Sequence, residues 1–321
     1  MVYIDQNAAR NPLFPLEPLF RALSTENPEF DIGDIDLVTD RNNIRKLLRF
    51  VQASSRDTFQ FQVEVAGDKT VLFTRIEEKT KEVIRGFRGY GHNFEKAFTK
   101  APSGSTGHHR IVGYNFGALK CLVRHETDGY VANKTPQQLT DDLSDTLKAL
   151  SLSTSNSVVD HPGAVVVGTG GRPVDLSSTL EIKTRAAART LDMAEVSSQL
   201  WISQTPKLVV GYHQKGAFND VQLRDMTAEL GRWESAKQSD LRKLAGLLTK
   251  IIGVVKASDD RSALVQCDGE SRLRILASKG KRALPDDLYV MWGSKGKGDT
   301  ENDEQAGQSD ATKLEIKDNK A

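Results

Sequence analysis

Apolar residues recur at helical spacing in several stretches of the chain. In DIDLVTDRNNIRKLLRFVQ, Ile44, Leu47, Leu48 and Val51 share one face behind a helix cap at Thr39 or Asp40. Residues 227–256 place Leu241, Leu244, Leu248, Ile251 and Ile252 on one side, which predicts a single long helix. MAEVSSQLWISQ predicts a shorter helix, and another is expected over about 91–100, after the glycines of RGFRGYG. TPQQLTDDLSDTLKAL, within 134–157, carries a helical pattern before a Ser-rich loop. Alternating or β-branched runs mark the strands. FQFQVEVAG and KTVLFTRIEE predict an antiparallel pair around the turn Gly67-Asp68. LKCLVRHETD, GAVVVG and SSTLEIKTRA each predict a strand, with GAVVVG running into the turn GTGGRP. KLVVGYHQKGAFNDVQL and SALVQCDGESRLRILAS predict hairpins, the second turning at Asp268-Gly269. No internal repeat is visible. The pattern predicts an α+β (α/β) protein with a mixed central β-sheet and flanking helices.

Residues 1–30 hold four of the ten prolines (Pro12, Pro15, Pro18, Pro28), so an extended segment over the surface is expected there. From Ser294 onward only Leu314 and Ile316 are large aliphatics, too few to order a segment, which predicts a disordered tail. The expected division is an N-terminal segment and helix over 1–60, a catalytic domain over 61–293 and the tail over 294–321. Forty-four Lys+Arg against 43 Asp+Glu leave a formal charge of +1, so a polyanion surface must come from segregated charge. Cys121 and Cys267 are the two cysteines, which excludes a disulfide framework and a thiolate zinc site. The sequence has no apolar run of membrane-spanning length and no signal-like start. A nuclear or cytoplasmic protein that is not secreted and has no membrane partner is therefore expected.

The informative residues are acids inside otherwise apolar strands. LEIKT projects Glu181 and Lys183 from one strand face, and LVRHETDGY does the same with Glu126 and Asp128. Charged groups in half-buried strands cost several kcal/mol unless something pairs with them. Converging carboxylates are most simply neutralised by a hard divalent cation, Mg²⁺ or Mn²⁺. A lysine beside them suits metal-assisted phosphodiester hydrolysis, where it steadies charge developing in the transition state. The bland alternative, an ion-paired wet sheet face, accounts for any single E-x-K match.

Several segments in order carry a family resemblance: GHNFE at 91–95, ETD at 126–128, EIK at 181–183, and SQLWISQTPKLVVGYHQKG with Gln199, Pro206 and Gly211, preceded by FTR at Arg75. Together they resemble the PD-(D/E)XK nuclease superfamily and, within it, the fungal-like DXO-type decapping exonucleases of RNA quality control. The resemblance covers residues about 70–220. It implies a PD-(D/E)XK-like core and a hydrolase acting on RNA 5′ ends that are capped, triphosphorylated or monophosphorylated. The implied activities are decapping, pyrophosphohydrolase and 5′–3′ exoribonuclease. A catalytically silent RNA-binding or scaffolding member of the same fold is the alternative. By the same resemblance Glu95, Asp128 and Glu181, with the Ile182 carbonyl, are metal ligands for two Mg²⁺ or Mn²⁺ ions. Glu126 positions or activates water, Lys183 orients the nucleophile, Gln199 holds the scissile phosphate or its water, and Arg75 grips a substrate phosphate. A larger 5′–3′ exoribonuclease is a candidate partner.

Local charge agrees with such a substrate. Residues 69–110 hold nine Lys+Arg against four Glu, and Arg85 and Arg88 interleave with Phe87 and Tyr90, a pattern suited to phosphate contact and base stacking. His108 and His109 lack partners at metal-ligand spacing and fit phosphate contacts better. DDLSD at 141–145 imitates the aspartate motif of isoprenyl diphosphate synthases, but those enzymes are helical and need a second aspartate-rich helix. GTGGRP lacks the G-K-[ST] of a phosphate loop, and no G-x-S-x-G supports a serine nucleophile.

Overall fold

The structure, a computed structural model, describes residues 2–54, 56–82, 89–100, 105, 107–131, 165–168, 173–269, 272–278, 281–293 and 317–319. They form two compact units that interleave along the chain, one of residues 1–84, 110–125 and 232–321, the other of 85–109 and 126–231.

The first unit carries a small ribbon and a large mixed sheet. The ribbon pairs β1 (Val2–Tyr3) with β5 (Lys81–Glu82). The large sheet uses β2 (Leu37–Asp40), β3 (Thr58–Ala66), β4 (Thr70–Ile76), β6 (His109–Phe116), β7 (Leu119–Glu126), β12 (Ser262–Asp268), β13 (Leu273–Ala277) and β14 (Lys317–Asn319). Their order is β13-β12-β3-β4-β2-β7-β6-β14. The β3–β4 hairpin turns where the sequence places it, at Gly67, whose φ of +59° lies in the left-handed region that favours glycine. The β12–β13 hairpin also pairs as expected. The tail expected to be disordered falls outside the described residues except for β14, which runs parallel to β6.

Strand alternation gives the large sheet two covered faces. Val38, Leu72 and Leu122 stand opposite one another in register and pack with Leu19, Phe20 and Leu23. Those three belong to α2 (Glu17–Glu26), which follows the short α1 (Gln6–Arg10). The extended N-terminal wrap expected from the prolines is thus corrected. Pro18 sits in the first turn of α2, where its missing N–H costs nothing, and the apolar stripe behind it drives the helix. On the other face α3 (Arg41–Val51) is tied down by Asn43, whose amide donates to Thr39 Oγ1 and the Phe73 carbonyl. Asp40 stands at the cap position of α3, yet its carboxylate caps nothing. It is taken by Arg124, which donates from Nε at 2.6 Å and from Nη2 at 2.9 Å.

In the second unit the chain runs β8 (Gly129–Tyr130), β9 (Thr179–Ala186), β10 (Lys207–Gln214) and β11 (Ala217–Asp225), in the order β11-β10-β9-β8. β9 and β10 are parallel, joined through α5 (Met193–Ile202), and the β8–β9 and β10–β11 pairs are antiparallel. α4 (Gly91–Phe98), also in this unit, lies where the sequence predicts it. Two sequence expectations are overturned. The long helix over 227–256 is two, α6 (Thr227–Ala236) and α7 (Gln238–Lys256), broken where Lys237 leaves the helical region (φ −101°, ψ 10°). GAVVVG forms no strand across its described residues 165–168. Val166 is 64% exposed, and an apolar run with no neighbouring strand among the described residues gains little from extension. The helical pattern over 134–157 and the turn residues 169–172 lie outside the described residues. No helix among the described residues is long and apolar enough to cross a membrane.

The four-stranded sheet is sandwiched tightly. Phe94 of α4 packs on Leu180, Ile182 and Val209, and its ring lies 2.7 Å from where a Cβ at Gly211 would stand. Gly211→Ala must therefore displace an aromatic wedged between helix and strand. We expect it to lower stability by about 1–3 kcal/mol, read as a lower thermal midpoint. An unchanged midpoint contradicts the packing described.

Candidate functional site

Alternation along β9 divides its side chains between the two faces of the sheet. Leu180 and Ile182 face Phe94 on α4. Glu181 and Lys183 face the other way, where their register partners on β10, Leu208 and Val210, pack against Val196 and Leu200 of α5. On the other side of β9, Gly129 pairs with Leu180 and Tyr130 with Thr179, so continuing the register one step sets Asp128 across from Glu181. The strands thus bring the E-x-D and E-x-K segments to one surface.

The contacts confirm this placement. Asp128 accepts a 2.7 Å hydrogen bond from the Ile182 N–H through Oδ2. Glu181, only 4% exposed, is held by Lys183, whose Nζ donates to Oε1 at 2.6 Å. Burial, and then the Glu181 charge, push the Asp128 carboxyl up to about 7, against the opposing pull of Lys183 and the Ile182 N–H, while Glu95 adds to the repulsion. One lysine stands among carboxylates that repel one another.

Gln199 completes this face. On α5 it lies in the stripe of Val196 and Leu200 that meets the sheet, it is 7% exposed, and its Oε1 is buried with no hydrogen-bond partner among the described residues. A buried amide oxygen without a donor normally costs free energy. Glu126 ends β7 and is exposed. The His108 carbonyl accepts from the Thr127 N–H at 2.8 Å, which holds the backbone of His108 beside the E-x-D segment. The His108 and His109 side chains are exposed, and His108 Nε2 lies 3.0 Å from Ser105 Oγ.

Glu95 is on α4, whose Phe94 covers the opposite face of the sheet, and its Oε2 lies 3.8 Å from His92 Nδ1. Among the described residues no group of three or more His, Cys, Asp or Glu side chains stands close enough together to hold a metal. Arg75 belongs to the first unit, where it donates to Glu77 at 2.6 Å and lies 3.7 Å from Asp5. Arg85 and Arg88 lie outside the described residues. The sequence reading missed Arg185. It follows Lys183 by two and so shares its face, and its Nε is buried without a partner among the described residues. The period of 2 in E-x-K-x-R was the available signal.

The donor set suits a hard divalent cation in its two facing carboxylates and in the Gln199 oxygen, which has no partner among the described residues. Glu95, as placed, adds long-range charge only. The raised Asp128 pKa has a consequence for stability. Unfolded, this carboxyl ionises near 3.8 and folded near 7, so its contribution is fully present below pH 3.8 and is lost as pH rises through 7. Asp128→Asn is expected to be more stable than the parent at pH 8 without divalent ions, by about 2–4 kcal/mol, with a smaller gap at pH 5. Chemical denaturation at both pH values measures it, and equal gaps contradict the assignment.

Residues 1–292 match the model of a family described as a domain of unknown function (DUF8563). No curated protein matches the chain in sequence. Among solved structures, the chain resembles Scheffersomyces stipitis Rai1 in complex with (3′-NADP)⁺ and calcium ion, with a TM-score of 0.60, 15% identity, and coverage of 92% of this chain and 85% of that one. Candida albicans Rai1 in complex with pU5-Mn²⁺ matches with a TM-score of 0.58, 12% identity and coverage of 91% and 81%. K. lactis Dxo1 in complex with manganese matches with 0.51, 13%, and 82% and 71%. The fold is that of the Rai1 and Dxo1 proteins, a mixed α/β architecture with a mixed sheet and flanking helices.

Proposed function

The chain belongs to the DUF8563 family and folds like Rai1 and Dxo1, and from that premise we propose that it is a divalent-metal-dependent hydrolase acting on RNA 5′ ends. The observation that carries the reading is the pairing of Asp128 with Glu181 on one sheet face beside Lys183, with the helix that packs on that face carrying the buried Gln199 oxygen, unpartnered among the described residues. The solved relatives hold calcium or manganese, and one holds the oligonucleotide pU5.

In this reading Asp128 and Glu181, with the Ile182 carbonyl, would hold the ion, with Glu95 as a further ligand. Bound there, a divalent ion would lower the pKa of water and offset charge on the leaving oxygen. Water adds to phosphorus, the bond to the leaving oxygen breaks, and the two water protons divide between the products and Glu126. Lys183 neutralises charge growing on the phosphoryl oxygens, and Gln199 fixes the phosphate or the attacking water by its amide. His108 and His109 meet the phosphates of the entering strand.

The present placement of Glu95 favours one second reading, an RNA-binding member of the fold that does not turn over. A single experiment separates the two. RNA carrying a 5′-triphosphate, 5′-monophosphate or cap is incubated with the protein in Mn²⁺ and in EDTA. Mn²⁺-dependent release of pyrophosphate, cap or mononucleotide is the expected result. Equal RNA binding in both buffers with no cleavage of any end establishes the silent reading instead.

A further inference from the structure

Among the described residues β11 has a strand on one side only, β10, and so forms an edge of the four-stranded sheet. Which of its backbone groups face outward follows from one contact. The Met226 N–H donates to the Pro206 carbonyl at 2.7 Å, and antiparallel bonding to one neighbour recurs at every second residue. Arg224, Gln222 and Asp220 therefore direct their N–H and C=O groups to β10, while Leu223 and Val221 turn theirs outward. Two large apolar side chains sit at those outward positions, Val221 at 41% exposure and Leu223 at 56%. Their register partners are Gly211 and Val209, so both project from the sheet face that Phe94 covers.

The opposite face of the same strand carries a polar row. Arg224 donates from Nε and Nη2 to Gln222 Oε1, and Gln222 donates in turn to Asp220 at 2.8 Å. The row has a base at one end, an acid at the other and an amide midway. Charges on a sheet edge usually repel a second edge, because like meets like. Here the row is its own complement. An antiparallel pairing of two β11 strands centred on Gln222 sets Asp220 opposite Arg224 of a second copy, and Arg224 opposite its Asp220. On the other face it sets Val221 against Leu223. The backbone agrees, since Val221 and Leu223 are the residues whose groups point outward and they meet as the hydrogen-bonded pairs. Centring the axis on Val221 or Leu223 instead sets Asp220 against Gln222 or Met226 and leaves the charges unmatched.

We propose that the β11 edge is a self-docking surface through which two copies of this chain join about a two-fold axis at Gln222, extending two four-stranded sheets into one of eight. Such an interface is isologous, the same patch serving both copies. The seam, residues 220–224 of each copy, lies at the small end of specific interfaces, so the dimer forms in a concentration-dependent way. The proposal stands independently of the hydrolase reading.

The test is sedimentation velocity of the full chain at concentrations up to about 100 μM, together with disulfide trapping. The parent is expected to show a monomer–dimer equilibrium. Asp220→Arg sets like charges opposite one another twice and is expected to weaken the dimer about tenfold. Asp220→Arg/Arg224→Asp exchanges the two ends of the row and is expected to restore the parent affinity. Gln222→Cys places two thiols on the axis with Cα atoms about 4.5 Å apart, within disulfide reach, and mild oxidation is expected to give a covalent dimer. Ala217→Cys stands about 30 Å from its counterpart along the seam and is expected to give none. Cys121 and Cys267 are buried, so the introduced thiol is the one that reports. A parent that stays monomeric throughout overturns the proposal. So does a dimer that Asp220→Arg leaves intact or the exchange fails to restore, and so does equal trapping of Gln222→Cys and Ala217→Cys.

Discussion

Glu181→Gln is expected to lower Mn²⁺-dependent hydrolysis of 5′-phosphorylated RNA by roughly 1,000-fold, equivalent to about 4 kcal/mol of transition-state stabilisation. The substitution preserves shape at a site that is 4% exposed, so it leaves the packing of β9 in place and removes only charge. That charge is what Asp128 feels most strongly after its own burial, and it is the anchor of the Lys183 ammonium at 2.6 Å. With glutamine at the position, Lys183 turns to solvent, which its partial exposure allows, and the pull on a cation falls by one full charge. A thermal midpoint within a few degrees of the parent accompanies the loss. Retained turnover in the folded variant removes Glu181 from the reacting centre.

Arg124→Ala carries the largest expected cost to stability. Arg124 is 2% exposed, grips both oxygens of Asp40, and donates from Nη1 to the Pro15 carbonyl at 2.8 Å. It ties the ends of β2 and β7 to the chain entering α2. Truncation leaves the Asp40 carboxylate shielded and unpaired, together with a carbonyl that has lost its donor, and a cost of about 3–5 kcal/mol is expected. Arg124→Lys restores little, because an ammonium cannot hold both oxygens and the carbonyl in one plane. Chemical denaturation measures both variants. A loss below 1 kcal/mol for the alanine variant shows that the pair contributes no more than a surface salt bridge.

The sequence made the elements around the site readable because their signals are local. Alternation in LEIKT fixes which residues share a face, and the φ of +59° at Gly67 is written in the Gly-Asp turn. Arg185 was as legible as Lys183 by the same alternation. The misreadings have tertiary causes. Asp40 looks like a cap, but an arginine 84 residues downstream takes its carboxylate. Pro18 looks like a breaker, but it occupies the one helical turn that tolerates proline. The Leu241–Ile252 face runs true through α7, whereas nothing in the apolar period marks the break at Lys237. GAVVVG has strand composition, yet 165–168 pair with no strand among the described residues. The juxtaposition of Asp128 with Glu181 depends on register between β8 and β9, which sequence spacing does not encode. The same holds for Glu95, whose motif is clear but whose helix packs through Phe94 on the opposite face.

The most direct test of the carboxylate pair is a Mn²⁺ titration at pH 7.5 followed by electron paramagnetic resonance and by proton release. The parent protein is expected to bind Mn²⁺ saturably and to release protons as it does so, because the Asp128 carboxyl titrates at about 7. The Asp128→Asn/Glu181→Gln protein is expected to lose both the binding and the proton release while remaining folded. Identical Mn²⁺ binding by the two proteins contradicts the assignment of the ion to this sheet face.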